Sequence, residues 1–125
     1  MISYTTLGTN DMARSIAFYD PVFAAIGAKR AATSPTWTGY QRAGDRAMFF
    51  LTRPFDHGAA TGGNGAMLAF LAADRAAVDA FHAAALAHAG TCEGPPGVRA
   101  GMDPVFYAAY VRDPDGNKLC AYVRK

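Results

Sequence analysis

Apolar and polar positions run through the same programme twice along the chain. Ile2–Gly8 and Ala66–Ala72 alternate with a period of two, which predicts a short strand at the head of each stretch. An aspartate follows each, Asp11 or Asp74, where a helix takes its N-cap. Apolar residues then recur at helical spacing, Ile16, Tyr19, Phe23 and Ile26 in the first case and Val78, Phe81 and Ala85 in the second. Pro21 predicts a break in the first helix. Gly27 and Gly90 stand where a helix C-terminus takes a left-handed residue. Further strands are expected over Ala28–Ala32, Trp37–Arg42 and Arg46–Thr52, and again over Thr91–Glu93, Phe106–Arg112 and Asn117–Arg124. Ala43-Gly44-Asp45 and Asp113-Pro114-Asp115-Gly116 supply the hairpin turns.

The recurrence is a repeat in register. Tyr4, Asp11, Phe18 and Gly27 return as Met67, Asp74, Phe81 and Gly90, at a constant offset of 63. Further on, Tyr40-Gln41-Arg42 returns as Tyr110-Val111-Arg112 at an offset of 70, which places about seven extra residues in the Gly94–Pro104 loop. The expected architecture is therefore α+β: two tandem βαβββ modules whose curved mixed sheets surround a central pocket. At 125 residues the chain has the length of one domain, with module one over about 1–53, a glycine-rich linker over 54–65 and module two over about 66–125.

Strand alternation assigns side chains to faces. Tyr4 shares a face with Ile2 and Thr6, and its repeat partner Met67 shares one with Ala69 and Leu71. In the hairpin strands Met48, Phe50 and Thr52 correspond to Lys118, Cys120 and Tyr122. If the copies pack side by side about a pseudo-twofold axis, Tyr4, Phe50, Met67 and Cys120 converge. Trp37, Tyr107 and Tyr122 would add aromatic walls, and Arg99, in the long loop of the second copy, a guanidinium for a carboxylate or phosphate. An aromatic, methionine-containing concavity with a few polar tips suits a small apolar or aromatic molecule. Cys120 is the candidate nucleophile, with Lys118 two residues and roughly 7 Å away along the strand.

Charge narrows the partners. Twelve basic against ten acidic residues leave a formal charge of +2 with no dense basic patch, which argues against nucleic acid. No apolar run approaches the length of a membrane-spanning helix, and Met1–Thr6 shows no basic head or apolar run of a signal peptide, so export is not expected. Cys92 and Cys120 lack C-x-x-C spacing and read as reduced thiols, so a cytoplasmic location is expected. His57, His82 and His88 are spaced to act separately.

Three segments carry a family resemblance. They are Leu7-Gly8-Thr9-Asn10-Asp11 running on to Phe18-Tyr19, Arg75-Ala76-Ala77-Val78-Asp79-Ala80-Phe81-His82, and Tyr107-Ala108-Ala109-Tyr110-Val111-Arg112-Asp113-Pro114-Asp115-Gly116-Asn117. Together they resemble the vicinal-oxygen-chelate superfamily, the group of glyoxalases, bleomycin-resistance proteins and ring-cleaving dioxygenases. The resemblance covers essentially the whole chain and implies the glyoxalase-like fold and a homodimer. Metal-dependent members place His in the first strand of each copy and Glu near the end of the hairpin strand. Those positions fall on Tyr4, Phe50, Met67 and Cys120, none of which is the family's ligand. The expectation is thus a protein that binds a small molecule with neither metal nor cofactor, like the bleomycin-resistance branch. The alternative is a lyase or isomerase of the lactoylglutathione-lyase type with altered or absent metal dependence.

Overall fold

The order of elements follows the repeat. The computed structural model describes residues 1–125. The first module runs β1 (Tyr4–Gly8), α1 (Met12–Ala24), β2 (Ala28–Thr33), β3 (Trp37–Arg42) and β4 (Met48–Thr52). The second runs β5 (Leu68–Leu71), α2 (Arg75–Ala87), β6 (Thr91–Val98), β7 (Phe106–Arg112) and β8 (Lys118–Arg124). Each module makes one mixed four-stranded sheet, ordered β1-β4-β3-β2 and β5-β8-β7-β6. In both, the first strand lies parallel to the last and the remaining pairs are antiparallel. No helix is long and apolar enough to cross a membrane.

The helix starts obey the sequence. Asp11 accepts a hydrogen bond from the backbone N–H of Arg14, and Asp74 one from that of Ala77. Pro21 does not divide α1, which stays continuous from Met12 to Ala24. Only one turn lies beyond the proline, and Val22 and Phe23 in that turn are buried in the core, so packing outweighs the missing N–H. At the end of α2 the left-handed residue is Ala89, with φ of 70°, rather than Gly90. Gly90 is needed for space instead. A Cβ there would lie 2.7 Å from both the Ala85 carbonyl oxygen and the Phe18 ring, and 3.0 Å from the Arg112 carbonyl oxygen.

The registers refine the repeat. Thr6 stands opposite Phe50 and Ala69 opposite Cys120, which agrees with offsets of 63 and 70. In the hairpins, however, Tyr40 faces Phe49 while Val111 faces Leu119. Tyr40 therefore corresponds to Val111, not Tyr110, because the first hairpin is one residue longer. The slip has a large consequence, since successive strand residues point to opposite faces. Tyr40 is buried in the core with its hydroxyl donating to Asp20 at 2.7 Å, whereas Tyr110 lies on the outer face opposite Cys120. The extra residues of the second copy lie mostly in the β6–β7 connection, seven residues against three between β2 and β3, while β6 itself gains two residues over β2 and runs through two register irregularities to Val98.

One apolar core joins the modules. It takes Phe18, Tyr19, Val22 and Phe23 from α1, Val78, Phe81 and Ala85 from α2, and the inward residues of both sheets. Phe70 of β5 packs edge-on against Phe23 at 5.1 Å and against Phe49 at 5.9 Å, so the second sheet's first strand leans on the first module's core. At one end of this junction Arg42 donates to the Leu71 carbonyl oxygen at 2.7 Å. At the other, the β7–β8 turn clasps the start of α1. Tyr19 donates to Asp113 at 2.6 Å and Asn117 donates to the Gly8 carbonyl at 3.1 Å. Asp115 receives the Asn10 amide, the Arg14 guanidinium and the Ser15 hydroxyl at 2.9, 2.7 and 3.0 Å. The connection between modules is pinned as well, since Asn10 exchanges two hydrogen bonds with the backbone of Ala60.

Candidate functional site

With Phe49, Leu51, Leu119 and Ala121 turned to the core, the alternate residues of β4 and β8 form the outer faces of the two sheets. On the first, Phe50 is the centre of an aromatic group. Its ring meets Tyr4 edge-on at 5.6 Å and Trp37 at 5.9 Å. Gly39 makes room for it, because a Cβ at Gly39 would lie 2.7 Å from the Phe50 ring. Tyr4 is 61% exposed and Trp37 40% exposed. With Ser3, Thr6, Arg46, Met48 and Thr52 they line an open concavity of about 510 Å³.

The second outer face is cationic. Tyr110 lies between two positive groups, with the Arg99 guanidinium 4.9 Å and the Lys118 ammonium 5.7 Å from its ring centre. Arg99 is held in place by donating to the carbonyls of Pro95 and Ala108 at 2.7 and 2.8 Å. Tyr122 packs on Phe106 at 5.3 Å, with its backbone opposite Ala108. Phe106 escaped the sequence reading, although a period of two back from Tyr110 leads to it.

Cys120 is 1% exposed on this face, and burial pushes its thiol up to about 11, against the smaller opposing influence of the Tyr110 hydrogen bond and the charges of Arg99 and Lys118. That is a protonated thiol and a poor nucleophile at neutral pH. Tyr107 belongs to neither outer face. It sits on the helix side, where its hydroxyl donates to Asp79 at 2.6 Å and Arg75 stacks over its ring at 4.8 Å, because odd-numbered residues of β7 point inward. Met67 precedes β5 and is 44% exposed.

The four positions related by the repeat are thus divided. Tyr4 and Phe50 touch, while Cys120 belongs to the other sheet, and no strand of one sheet pairs with a strand of the other. The modules join through their helix sides and the β7–β8 turn. Between them a separate apolar cleft of about 310 Å³ is lined by Thr5, Phe23, Phe49, Leu68 and Phe70, none of which belongs to the outer-face groups.

The donors at these four positions do not fit a divalent metal. Phenylalanine offers no ligand atom, a thioether and a phenol are poor ligands for Zn²⁺ or Ni²⁺, and the Cys120 thiol keeps its proton. No three His, Cys, Asp or Glu side chains gather elsewhere in an arrangement that would hold an ion. His57 lies exposed between the modules, and His88 caps α2, bonded to the Ala84 carbonyl at 2.8 Å.

Comparison with known proteins agrees with this architecture. The sequence model described as the Glyoxalase/Bleomycin resistance protein/Dioxygenase superfamily matches residues 1–121. No curated protein matches the chain. Among solved structures, a glyoxalase/bleomycin resistance protein from Albidiferax ferrireducens is 40% identical, with a TM-score of 0.89 over 100% of this chain and 99% of that one. A lactoylglutathione lyase from Agrobacterium tumefaciens is 25% identical, with a TM-score of 0.70 over 98% of this chain and 92% of that one. A fosfomycin resistance protein from Mesorhizobium loti, 16% identical with a TM-score of 0.72 over 100% of this chain and 92% of that one, shares the fold. A family model that spans nearly the whole chain, over the same two-module architecture, leads to one conclusion: the chain belongs to the glyoxalase/bleomycin resistance/dioxygenase superfamily.

Proposed function

We propose that this protein binds a small aromatic or apolar molecule without a metal, and that two copies of the chain complete the binding site. The observation that carries the reading is the open group of Tyr4, Trp37 and Phe50 on the first outer face, with the Phe50 ring edge-on to both of the others beside a concavity. Stacking on those rings and burial of their exposed edges would supply the affinity, at about 25 cal/mol for each Å² of apolar surface covered. The second outer face, with Arg99 and Lys118 flanking Tyr110, complements it with positive charge. A twofold dimer that sets the first face of one copy against the second face of its partner would form two equivalent sites and cover the free edges of β1 and β5.

Trp37 is the only tryptophan, so its emission reports the site directly. Anilinonaphthalene sulfonate, an aromatic anion, serves as the probe. Expected are saturable binding, quenching of Trp37 by energy transfer to the dye, no effect of a chelator, and at least a tenfold weakening in Phe50→Ala. Light scattering should give twice 13.2 kDa. Dye binding that leaves Trp37 emission unchanged, or that Phe50→Ala does not weaken, rejects this site.

A further inference from the structure

The chain carries a second cysteine, and its surroundings are the reverse of those of Cys120. Cys92 is exposed on β6, the outermost strand of the second sheet. Its backbone stands opposite Val111, so its side chain points to the helix side. There α2 packs across β6 and β7 and brings His82 to it. The His82 Nε2 lies 3.2 Å from the Cys92 Sγ, although the residues are ten apart in sequence.

The surroundings of His82 favour the neutral, proton-accepting form of its imidazole. Burial lowers its pKa, and the charge of Arg99 adds to this, against an opposing influence from Asp79 one turn earlier on α2. Asp79 is itself engaged by the Tyr107 hydroxyl from β7, with Arg75 stacked on that ring. The neighbouring charges on β6 and β7, Glu93 and Arg112, are paired with each other at 2.7 Å. A nucleophile that solvent can reach therefore stands within hydrogen-bond distance of a base whose competing charges are partly engaged.

We propose that Cys92 and His82 form a thiol-exchange site, open to low-molecular-weight disulfides and separate from the aromatic binding face. His82 Nε2 takes the Cys92 proton as Sγ attacks one sulfur of the disulfide. The bond between the two incoming sulfurs breaks and a new one forms between Cys92 and one half of the molecule. The other half leaves as a thiolate and receives the proton from His82. One disulfide is consumed and one is formed, so the incoming disulfide is the only oxidant needed. The modified chain would carry a reversible adduct where α2 meets the outermost strand.

Glutathione disulfide, followed by intact-protein mass spectrometry, tests the proposal on the full chain. The expected result is one adduct per chain, mapped to Cys92, absent in Cys92→Ser and kept in Cys120→Ser. His82→Gln should slow the reaction about tenfold at pH 6–7, where the base matters, and much less in alkali, where hydroxide removes the proton. The wild-type rate should hold as pH falls towards the ordinary histidine range of about 6.5 and drop only below it. An adduct on Cys120, no adduct, or a His82→Gln rate equal to wild type at pH 6 overturns the proposal. A wild-type rate that rises about tenfold with every pH unit across pH 6–8, as hydroxide alone would give, overturns it without reference to any variant.

Discussion

Asp115 shows how much one side chain can tie together. It comes from the β7–β8 turn of the second module yet holds the N-terminal turn of α1, with its side chain 1% exposed. Burial alone would raise its pKa. The Asn10 amide, the hydroxyls of Thr9 and Ser15 and the charge of Arg14 outweigh that and hold it below the ordinary carboxylate value. A depressed folded pKa contributes stability that is fully present above the unfolded value of about 3.9 and is lost as pH falls through the folded value. Asp115→Asn should therefore cost about 2 kcal/mol at pH 7, the scale of buried hydrogen bonds to a charged group. Urea melts across pH should show the gap between variant and wild type closing below about pH 4. A gap unchanged down to pH 2.5 would mean that the carboxylate's charge contributes nothing to the clasp.

Packing between elements explains the two residues that end α2. Ala89 takes a left-handed conformation that costs a residue with a Cβ roughly 1–2 kcal/mol. Ala89→Gly should stabilise the protein by about 1 kcal/mol, seen as a rise in Tm. Gly90→Ala should do the opposite, by about 2–3 kcal/mol, because its Cβ would meet the Ala85 and Arg112 carbonyls and the Phe18 ring at a point where α1, α2 and β7 converge. Similar shifts for both substitutions would show that the division of labour between these neighbours is wrong. Phe23 makes a comparable case in the core, where it touches Tyr19, Tyr40, Phe49 and Phe70 and so spans both modules. Its truncation in Phe23→Ala should cost about 3–5 kcal/mol by calorimetry.

At the scale of the whole molecule, the proposed dimer is what would bring the two separate faces into one site. Within a chain the quartet of Tyr4, Phe50, Met67 and Cys120 is split between the sheets. A variant with Tyr4→His, Phe50→Glu, Met67→His and Cys120→Glu carries a ligand set suited to Ni²⁺ or Zn²⁺. If two copies complete the site, metal should raise its Tm and do so together with dimerisation, as binding to the assembled form alone requires. The wild type, purified without an affinity tag, should hold less than a stoichiometric amount of transition metal by elemental analysis. Metal uptake by a monomeric quadruple variant would show instead that the two faces meet within one chain.

How much of this was legible in the sequence depends on the range of the interactions involved. The order of elements, the aspartate caps and the offset between β1 and β5 are local or repeated properties, written in the spacing of apolar and polar residues. They appear in the structure almost unchanged. The aromatic trio of the first face was also within reach, since Tyr4, Trp37 and Phe50 sit on neighbouring strands of one sheet. A one-residue difference in hairpin length was enough to misplace Tyr110 relative to Tyr40, because a slip of one reverses the face of every side chain in a strand. Tyr107, expected among the aromatic walls, is turned by strand alternation to the helix side. The pairing of Cys92 with His82, the burial that silences Cys120 and the joining of the modules through their helix sides left no periodic trace. Each arises where distant elements pack, and a repeat records what each module is without recording which of its surfaces meets the other.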